Sequence, residues 1–406
     1  MTELATREAP ARRGPLRRAA PALLGYAAVR ALGLLVLAVW SAARGKSAHT
    51  LLTARWDALW YARVAGGGYG YEVRLPDGDV HSDLAFFPLL PWLERLLHTV
   101  AGLSYGDAGL AVALCASLGA AAGIFAVTDR LHGPRAGVCA VLLWAVLPVG
   151  IVQSMAYSES LFTALAAWSL YAVLTGWWVT AGALALSAGL TRPVGLAVVA
   201  AVWTGGVASF VRRRSTPGPH GAHDASHAPR GPLAPPARGA SVASRALGML
   251  LAPLGVAGYV LWVGRHTGDG PLGYVDVQTG WRNGFDGGWA FACFVAGRFT
   301  SLPGALAGAG LIAGAALVIW LYVVCVRQRQ PLPLLVHTGV VIALALGASS
   351  YFGSKPRLLL PAFPLLLPLA LALARLRVPR SALVLGAAAV ASAVYGAFWL
   401  TGSGPP

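Results

Sequence analysis

An all-α chain that crosses a membrane repeatedly is the fold class this sequence predicts, on three observations. Of its 406 residues 57% are hydrophobic and only 11% charged, too oily for a soluble multidomain protein. Most of the chain falls into apolar runs near the ~20 residues that cross a bilayer core. Arginines gather at alternate ends of those runs, as the positive-inside rule requires. The net charge of +16 therefore belongs to membrane topology, since no basic, aromatic face is left for nucleic acid. Among the 31 basic residues only Lys46 and Lys355 are lysines, and alanine and glycine abound. That composition points to a GC-rich bacterial genome, and so to a bacterial plasma membrane.

The N-terminal tail, 1–20, carries Arg7, Arg12, Arg13, Arg17 and Arg18 and is expected in the cytoplasm. The first span, 21–43, contains Arg30 and lacks a clean cleavage site, so it reads as a retained anchor rather than a signal peptide. An outer loop, 44–107, follows, in which 88–102 reads as a short amphipathic helix dipping into the interface. Spans at 108–128, 136–153, 161–175, 179–190 and 194–211 then alternate in direction. Their inner turns carry arginines, except at 176–178. Residues 212–245, rich in Pro, Gly, Ala and His, have nothing to build a core and read as a disordered cytoplasmic linker. His220, His223 and His227 lie in it, but nothing there would hold them around a metal. The C-terminal membrane region, 246–406, adds spans at 246–263, 302–326, 332–349, 358–374 and 381–400, with a second outer loop at 264–301. This gives eleven spans, the N-terminus inside and the C-terminus outside, and most acids on outer segments. No internal repeat of the transporter kind is visible. The four cysteines (Cys115, Cys139, Cys293, Cys325) have no metal or redox spacing and read as small buried core residues.

The longest polar interruption of the first half runs over 55–91 and holds five of the fifteen carboxylates: Asp57, Glu72, Asp77, Asp79 and Asp83. Its first half reads as a helix lying on the membrane. Trp56, Trp60 and Arg63 fall on one side, and Asp57, Tyr61 and Val64 on the adjoining side. Tryptophan and tyrosine at that density suit the headgroup zone, and Gly66, Gly67 and Gly68 end the helix. Asp57 is thus held at the membrane surface, a place for chemistry on a lipid-borne substrate. The same acids also fit an interfacial loop that is merely solvated.

On this topology the unusual polar groups converge on the outer face: Asp57 and Asp83, then Tyr157, Ser158 and Glu159, then Arg192, then Lys355 and Arg357 around Pro356. A charge at a helix end is cheap, whereas one aimed between helices is costly and usually functional. Glu159 also fits a solvated helix start after Ser158, and Arg192 and Arg357 also fit ordinary headgroup contacts. Arg30 and His337 lie within spans and read as satisfied structural groups, Arg30 by snorkelling. One outward carboxylate with several outward cations suits transfer of a group from a lipid phosphate. Phosphate leaves without a general acid, in contrast to glycoside hydrolysis. A single base takes the proton of the acceptor hydroxyl, and basic side chains stabilise the departing phosphate. The loop acids are irregularly spaced and lack histidine partners beyond His81, so no metal-ligand cluster is expected.

Several motifs go further. RWDALWYARVAGGGYGYE followed by AFFPLLP resembles the signature of the PIG-V-like mannosyltransferases, which add the second mannose in glycosylphosphatidylinositol synthesis, and of their bacterial relatives. AYSESLF (156–162), TRPVG (191–195) and SKPRLLLPAFPLLLP (354–368) are similar to later stretches of that family, in the expected order. The resemblance implies a GT-C-type glycosyltransferase fold with about eleven transmembrane helices and a catalytic aspartate, Asp57, as general base or acceptor-orienting group. It implies a polyprenyl-phosphate sugar as donor, mannose above all, inversion at the anomeric carbon, a lipid or protein glycan as acceptor, and no cofactor. Arg55, Trp56, Tyr61, Asp83, Tyr157, Glu159, Arg192, Lys355 and Arg357 are the residues expected around the substrates. Arg357 is favoured for the donor phosphate, because the Lys-Pro-Arg turn holds two cations at the mouth of a helix. The glycine run and the 77–83 insertion lengthen the loop relative to the family, and the linker is not a family feature. A transporter or flippase of lipid-linked sugars is the alternative. It would need polar residues lining a path at mid-depth, and here they cluster on one face. A non-catalytic assembly partner is a third reading, which the presence of Asp57 disfavours.

Overall fold

The computed structural model describes residues 14–214, 241–349, 351–402 and 404. Most of the expected linker, with His220, His223 and His227, lies outside the described residues. Helix α1 (Pro15–Ala42) leads into a set of short elements: α2 (Ala48–Thr53), α3 (Asp57–Gly67), strands β1 (Glu72–Arg74) and β2 (Val80–Ser82), and α4 (Leu89–Ala101). Then come α5 (Tyr105–His132), α6 (Pro134–Ala145), α7 (Glu159–Thr175), α8 (Trp178–Gly189) and α9 (Leu196–Arg214). The second half holds α10 (Val242–Leu251), α11 (Leu254–Thr267), α12 (Gly273–Gly280), α13 (Trp289–Ala296), α14 (Leu302–Arg327) and α15 (Leu332–Gly347). It ends with α16 (Lys355–Leu358), α17 (Leu367–Arg375) and α18 (Val378–Leu400).

The chain is an integral membrane protein. Among the described residues six helices are long and apolar enough to cross a bilayer, or seven if the pair Phe352–Leu358 and Phe363–Arg375, bent by 76°, counts as one span. The expected count of eleven is not confirmed by these lengths. Helices α6, α7, α8 and α15 are apolar but only 12, 17, 12 and 16 residues long. At 1.5 Å per residue a 12-residue helix reaches about 18 Å, well short of a core about 30 Å thick. The hydropathy of these segments is as high as that of a full span, so sequence alone counts them as spans.

Serine caps start several helices: Ser47, Ser104 and Ser301 each accept a hydrogen bond from a backbone N–H of the first turn, one of the donors a helix start leaves unpaired. Small residues then let the helices meet closely. A Cβ on Gly123 of α5 would sit 2.9 Å from the Ala167 methyl of α7, and one on Gly182 of α8 would sit 2.2 Å from the Gly248 carbonyl of α10. Cys139 and Cys325 are buried as expected, but Cys115 and Cys293 are exposed, on faces with no protein neighbour to cover them.

Two ends of the bundle are distinct. At one end Arg18 pairs with Asp129 at 2.7 Å, and Arg135 donates to the Leu376 carbonyl. At the other end lie α3, α4 and the hairpin. Arg30 does not snorkel. It is buried, donates to the Ala145 and Gly150 carbonyls, and lies over the Tyr26 ring. His337 is buried as a structural group, its Nε2 3.1 Å from the Pro361 carbonyl. A buried polar chain underlies the second end. The Tyr26 hydroxyl donates to Gln153 (2.9 Å), Gln153 donates to the Trp144 carbonyl (2.8 Å), and Trp144 donates to the Leu360 carbonyl (3.1 Å). It fixes the turn before α7 against the segment that carries Arg357.

Candidate active site

Asp57 is the first residue of α3, and the backbone just before it is strained. Trp56 has φ 50° and ψ −123°, a region that costs a non-glycine residue of order 1–3 kcal/mol. The surroundings hold it there: the Trp56 ring packs against the cluster around Leu37, Leu51 and Tyr157, and the Arg55 guanidinium stacks on it at 3.9 Å. Arg55 otherwise reaches the Leu400 carbonyl at 3.4 Å, so it braces the aspartate's turn and is not brought to the carboxylate.

Four charges from four separate segments meet here. Asp57 Oδ2 lies 2.7 Å from Arg357 Nη1, and the same nitrogen is 3.4 Å from Glu159 Oε1. Glu159 Oε1 also lies 2.5 Å from Arg192 Nη1. Arg192 Nη1 is 3.3 Å from Ser158 Oγ, which is 2.8 Å from the Tyr61 hydroxyl. Arg357 further lies over the Tyr157 ring at 5.1 Å. Signs alternate along the row, so each arginine compensates a carboxylate that would otherwise be costly to bury. Exposure separates the acids: the Asp57 side chain is 23% accessible and that of Glu159 only 2%. Asp57 can meet a ligand, whereas Glu159 acts behind it, fixing both guanidinium groups. Burial pushes the Tyr61 and Tyr157 phenols up, so both stay neutral.

Two expected substrate contacts have other roles. Asp83 is fully buried, and its oxygens accept from the backbone N–H groups of Gly70 (3.1 Å) and Tyr71 (3.0 Å). It pins the base of the β1–β2 hairpin. Lys355 is held by backbone: its Nζ donates to the carbonyls of Ala345 (2.9 Å) and Ala348 (2.6 Å) at the end of α15, where a cation suits the unpaired carbonyls and the helix dipole. Sequence places both at the correct end but does not show where their side chains turn.

The AFFP segment, 85–88, is anchored by tyrosines that the sequence reading does not single out. Phe86 O accepts from Tyr69 (2.7 Å) and Tyr259 (2.9 Å), and Leu84 O accepts from Tyr259 (2.9 Å). Phe86 in turn stacks on Trp60 and meets Tyr61 edge-on, coupling this segment to the helix of Asp57. Glu94 carries no mark of burial in the sequence, because an acid on an amphipathic helix looks solvated. It sits instead on the inward face of α4 with Leu90 and Pro91, fully enclosed, with neither oxygen hydrogen-bonded. Burial pushes its pKa up to about 9. Among the described residues no group of three or more His, Cys, Asp and Glu gathers as a metal site.

No family model matches the chain. Over 122 residues it is 34% identical to GPI alpha-1,6-mannosyltransferase 2 of Rattus norvegicus, a match covering 28% of this chain and 23% of the rat protein. The resemblance carried by the motifs is thereby borne out as a partial match to that family. Among solved structures the fold is similar to ArnT from Cupriavidus metallidurans bound to undecaprenyl phosphate. The TM-score is 0.50 at 16% identity, covering 88% of this chain and 61% of ArnT. The apo state of the same protein gives 0.50 at 17% identity with the same coverage. The chain thus spans less than two thirds of the length of each. The GT-C-type membrane fold expected from the motifs is borne out.

Proposed function

We propose that this protein is a membrane glycosyltransferase that moves a sugar, mannose in the first instance, from a polyprenyl phosphate to an acceptor hydroxyl. The observation that carries the reading is the 2.7 Å contact between Asp57 and Arg357, which joins residues 300 positions apart at one end of the bundle. In the reaction the acceptor oxygen bonds to the anomeric carbon from the face opposite the phosphate. The bond between that carbon and the phosphate oxygen breaks, its electron pair leaving on the phosphate, and the hydroxyl proton passes to the Asp57 carboxylate. The anomeric centre inverts, and polyprenyl phosphate departs. Arg357 is the cation nearest the carboxylate. An arriving phosphate would share its guanidinium fork with Asp57, and two parallel N–H donors suit a phosphate well. Glu159 holds Arg357 and Arg192 in register, and the Tyr61 hydroxyl fixes Ser158 behind them.

An extracytoplasmic site is supported by charge. Arg18 and Arg135, which make contacts at the opposite end, sit among Arg130, Arg375, Arg377 and Arg380, the bias of a cytoplasmic face. The name of the rat relative and the undecaprenyl phosphate bound to ArnT favour mannose and a polyprenyl carrier here. Incubating membranes that contain the protein with labelled polyprenyl-phosphate mannose tests the reading. Label is expected in a new product that is no longer attached to the carrier. Carrier-linked label that crosses sealed vesicles chemically unchanged would replace transfer with transport.

A further inference from the structure

Asp57 and Arg357 belong to different halves of the chain, and one short segment is bonded to the neighbourhood of each. It runs from Gly280, the last residue of α12, to Asp286 in the loop before α13. On the Asp57 side, Trp281 Nε1 donates to the Ser82 carbonyl at 2.9 Å. Its ring stacks on His81 at 4.0 Å and meets Trp60 edge-on at 4.9 Å. Trp60 lies on α3, one turn beyond Asp57. Arg282 clasps the hairpin through Asp77 (2.7 Å) and Asp79. The approach is so close that a Cβ on Gly280 would lie 2.2 Å from the Val80 carbonyl.

On the Arg357 side, the Gly284 N–H donates to Ser349 Oγ at 2.8 Å, and the Ser349 N–H donates back to the Gly284 carbonyl at 2.8 Å. Phe285 forms a β-bridge with Ala348, and the Asp286 N–H donates to the Gly347 carbonyl at 3.0 Å. Ala348 is also held by Lys355, two residues before Arg357. The two sets of anchors meet at Arg282, whose carbonyl also accepts from Ser349 Oγ at 3.2 Å. The Asp77–Arg282–Asp79 clasp is exposed and worth little by itself, whereas the tryptophan wedged among rings carries packing as well as a hydrogen bond.

We infer that the 280–286 segment is a brace that sets the spacing between Asp57 and Arg357, with Trp281 as its positioning residue. Its catalytic consequence rests on the transfer reading above; its geometry does not. The test uses the full chain with the four native cysteines replaced by alanine and with Asp57→Cys and Arg357→Cys, cross-linked by a short bifunctional thiol reagent. Trp281→Ala and Gly280→Ala are expected to cut the cross-linking rate about tenfold, and Trp281→Phe, which keeps a ring in place, much less. A second pair, Arg18→Cys with Asp129→Cys at the opposite end, is expected to cross-link equally in every variant. Unchanged cross-linking at 57 and 357 in both alanine variants would overturn the brace. So would a parallel loss at both pairs in all three variants, because it would mean general unfolding.

In the otherwise wild-type protein, Trp281→Ala is expected to lower kcat by on the order of 10²-fold with KM little changed, since a misplacement of about 1 Å has that effect. Trp281→Phe should recover most of it. A KM effect with kcat intact would contradict positioning. Slowed cross-linking combined with no transfer by any variant, wild type included, would uphold the brace and remove the transfer reading instead.

Discussion

Replacing Glu94 with glutamine isolates the cost of burying an ionisable group in this fold. The carboxyl is fully enclosed and unpartnered, and burial moves its pKa from 4.5 to about 9. A folded-state value above the unfolded one means that the native chain holds a proton the unfolded chain has released. The contribution of Glu94 to stability is therefore greatest below pH 4.5, declines as pH rises, and levels off above about pH 9. At pH 7 the difference spans about 2.5 pK units, or roughly 3 kcal/mol, and by pH 9 roughly 6 kcal/mol. Glutamine has nearly the same shape and no proton to bind, so only the pH dependence should change. Unfolding followed in detergent is expected to show wild type and Glu94→Gln differing by a fixed offset near pH 4. The variant should then gain by about 3 kcal/mol at pH 7 and more at pH 9. Parallel stability curves from pH 4 to 9 would refute the buried, neutral acid.

Three other variants probe the same end of the bundle. A methyl on Gly109 would lie 2.4 Å from Glu94 Oε1 and 3.1 Å from the Ala156 Cβ, so Gly109→Ala should destabilise by about 1–3 kcal/mol through overpacking, read as a lower unfolding temperature. Glu159→Gln leaves Arg192 and Arg357 short of a buried counter-charge. A loss of about 3–5 kcal/mol is expected, and unfolding at the wild-type midpoint would count against the alternating row. Lys355→Met removes the donor to the Ala345 and Ala348 carbonyls. It should cost about 1.5–3 kcal/mol of stability while leaving the KM for the lipid donor unchanged, which separates capping from phosphate binding.

What could be read from the sequence follows the physics of each group. Apolar runs and arginine-bearing turns gave the membrane class and the end of the bundle to which Asp57, Glu159, Arg192 and Arg357 belong, because bilayer thickness and charge bias act on composition alone. The meeting of those four could only be expected, since it depends on how helices distant in sequence pack. Direction is set by packing too, so nothing in the sequence shows that Asp83 and Lys355 bond to backbone. The hairpin leaves no trace in the sequence: β1 and β2 are three residues each, too short for an alternating pattern to register. Trp281 carried no signal that distinguished it from an interfacial anchor, and Glu94 none that distinguished it from a solvated acid. The short apolar helices have span-like composition at only 12 to 17 residues, so composition alone does not fix the number of spans.

The central claim is that the Asp57 carboxylate takes the acceptor proton while Arg357 holds the donor phosphate. It is tested most directly by Asp57→Asn, which keeps an oxygen for Arg357 to bond but removes the base. With labelled polyprenyl-phosphate mannose and protein of unchanged unfolding temperature, transfer is expected to fall by about 10²–10⁴-fold while the KM for the donor stays near its wild-type value. Transfer at close to the wild-type rate by a well-folded Asp57→Asn protein would contradict the account.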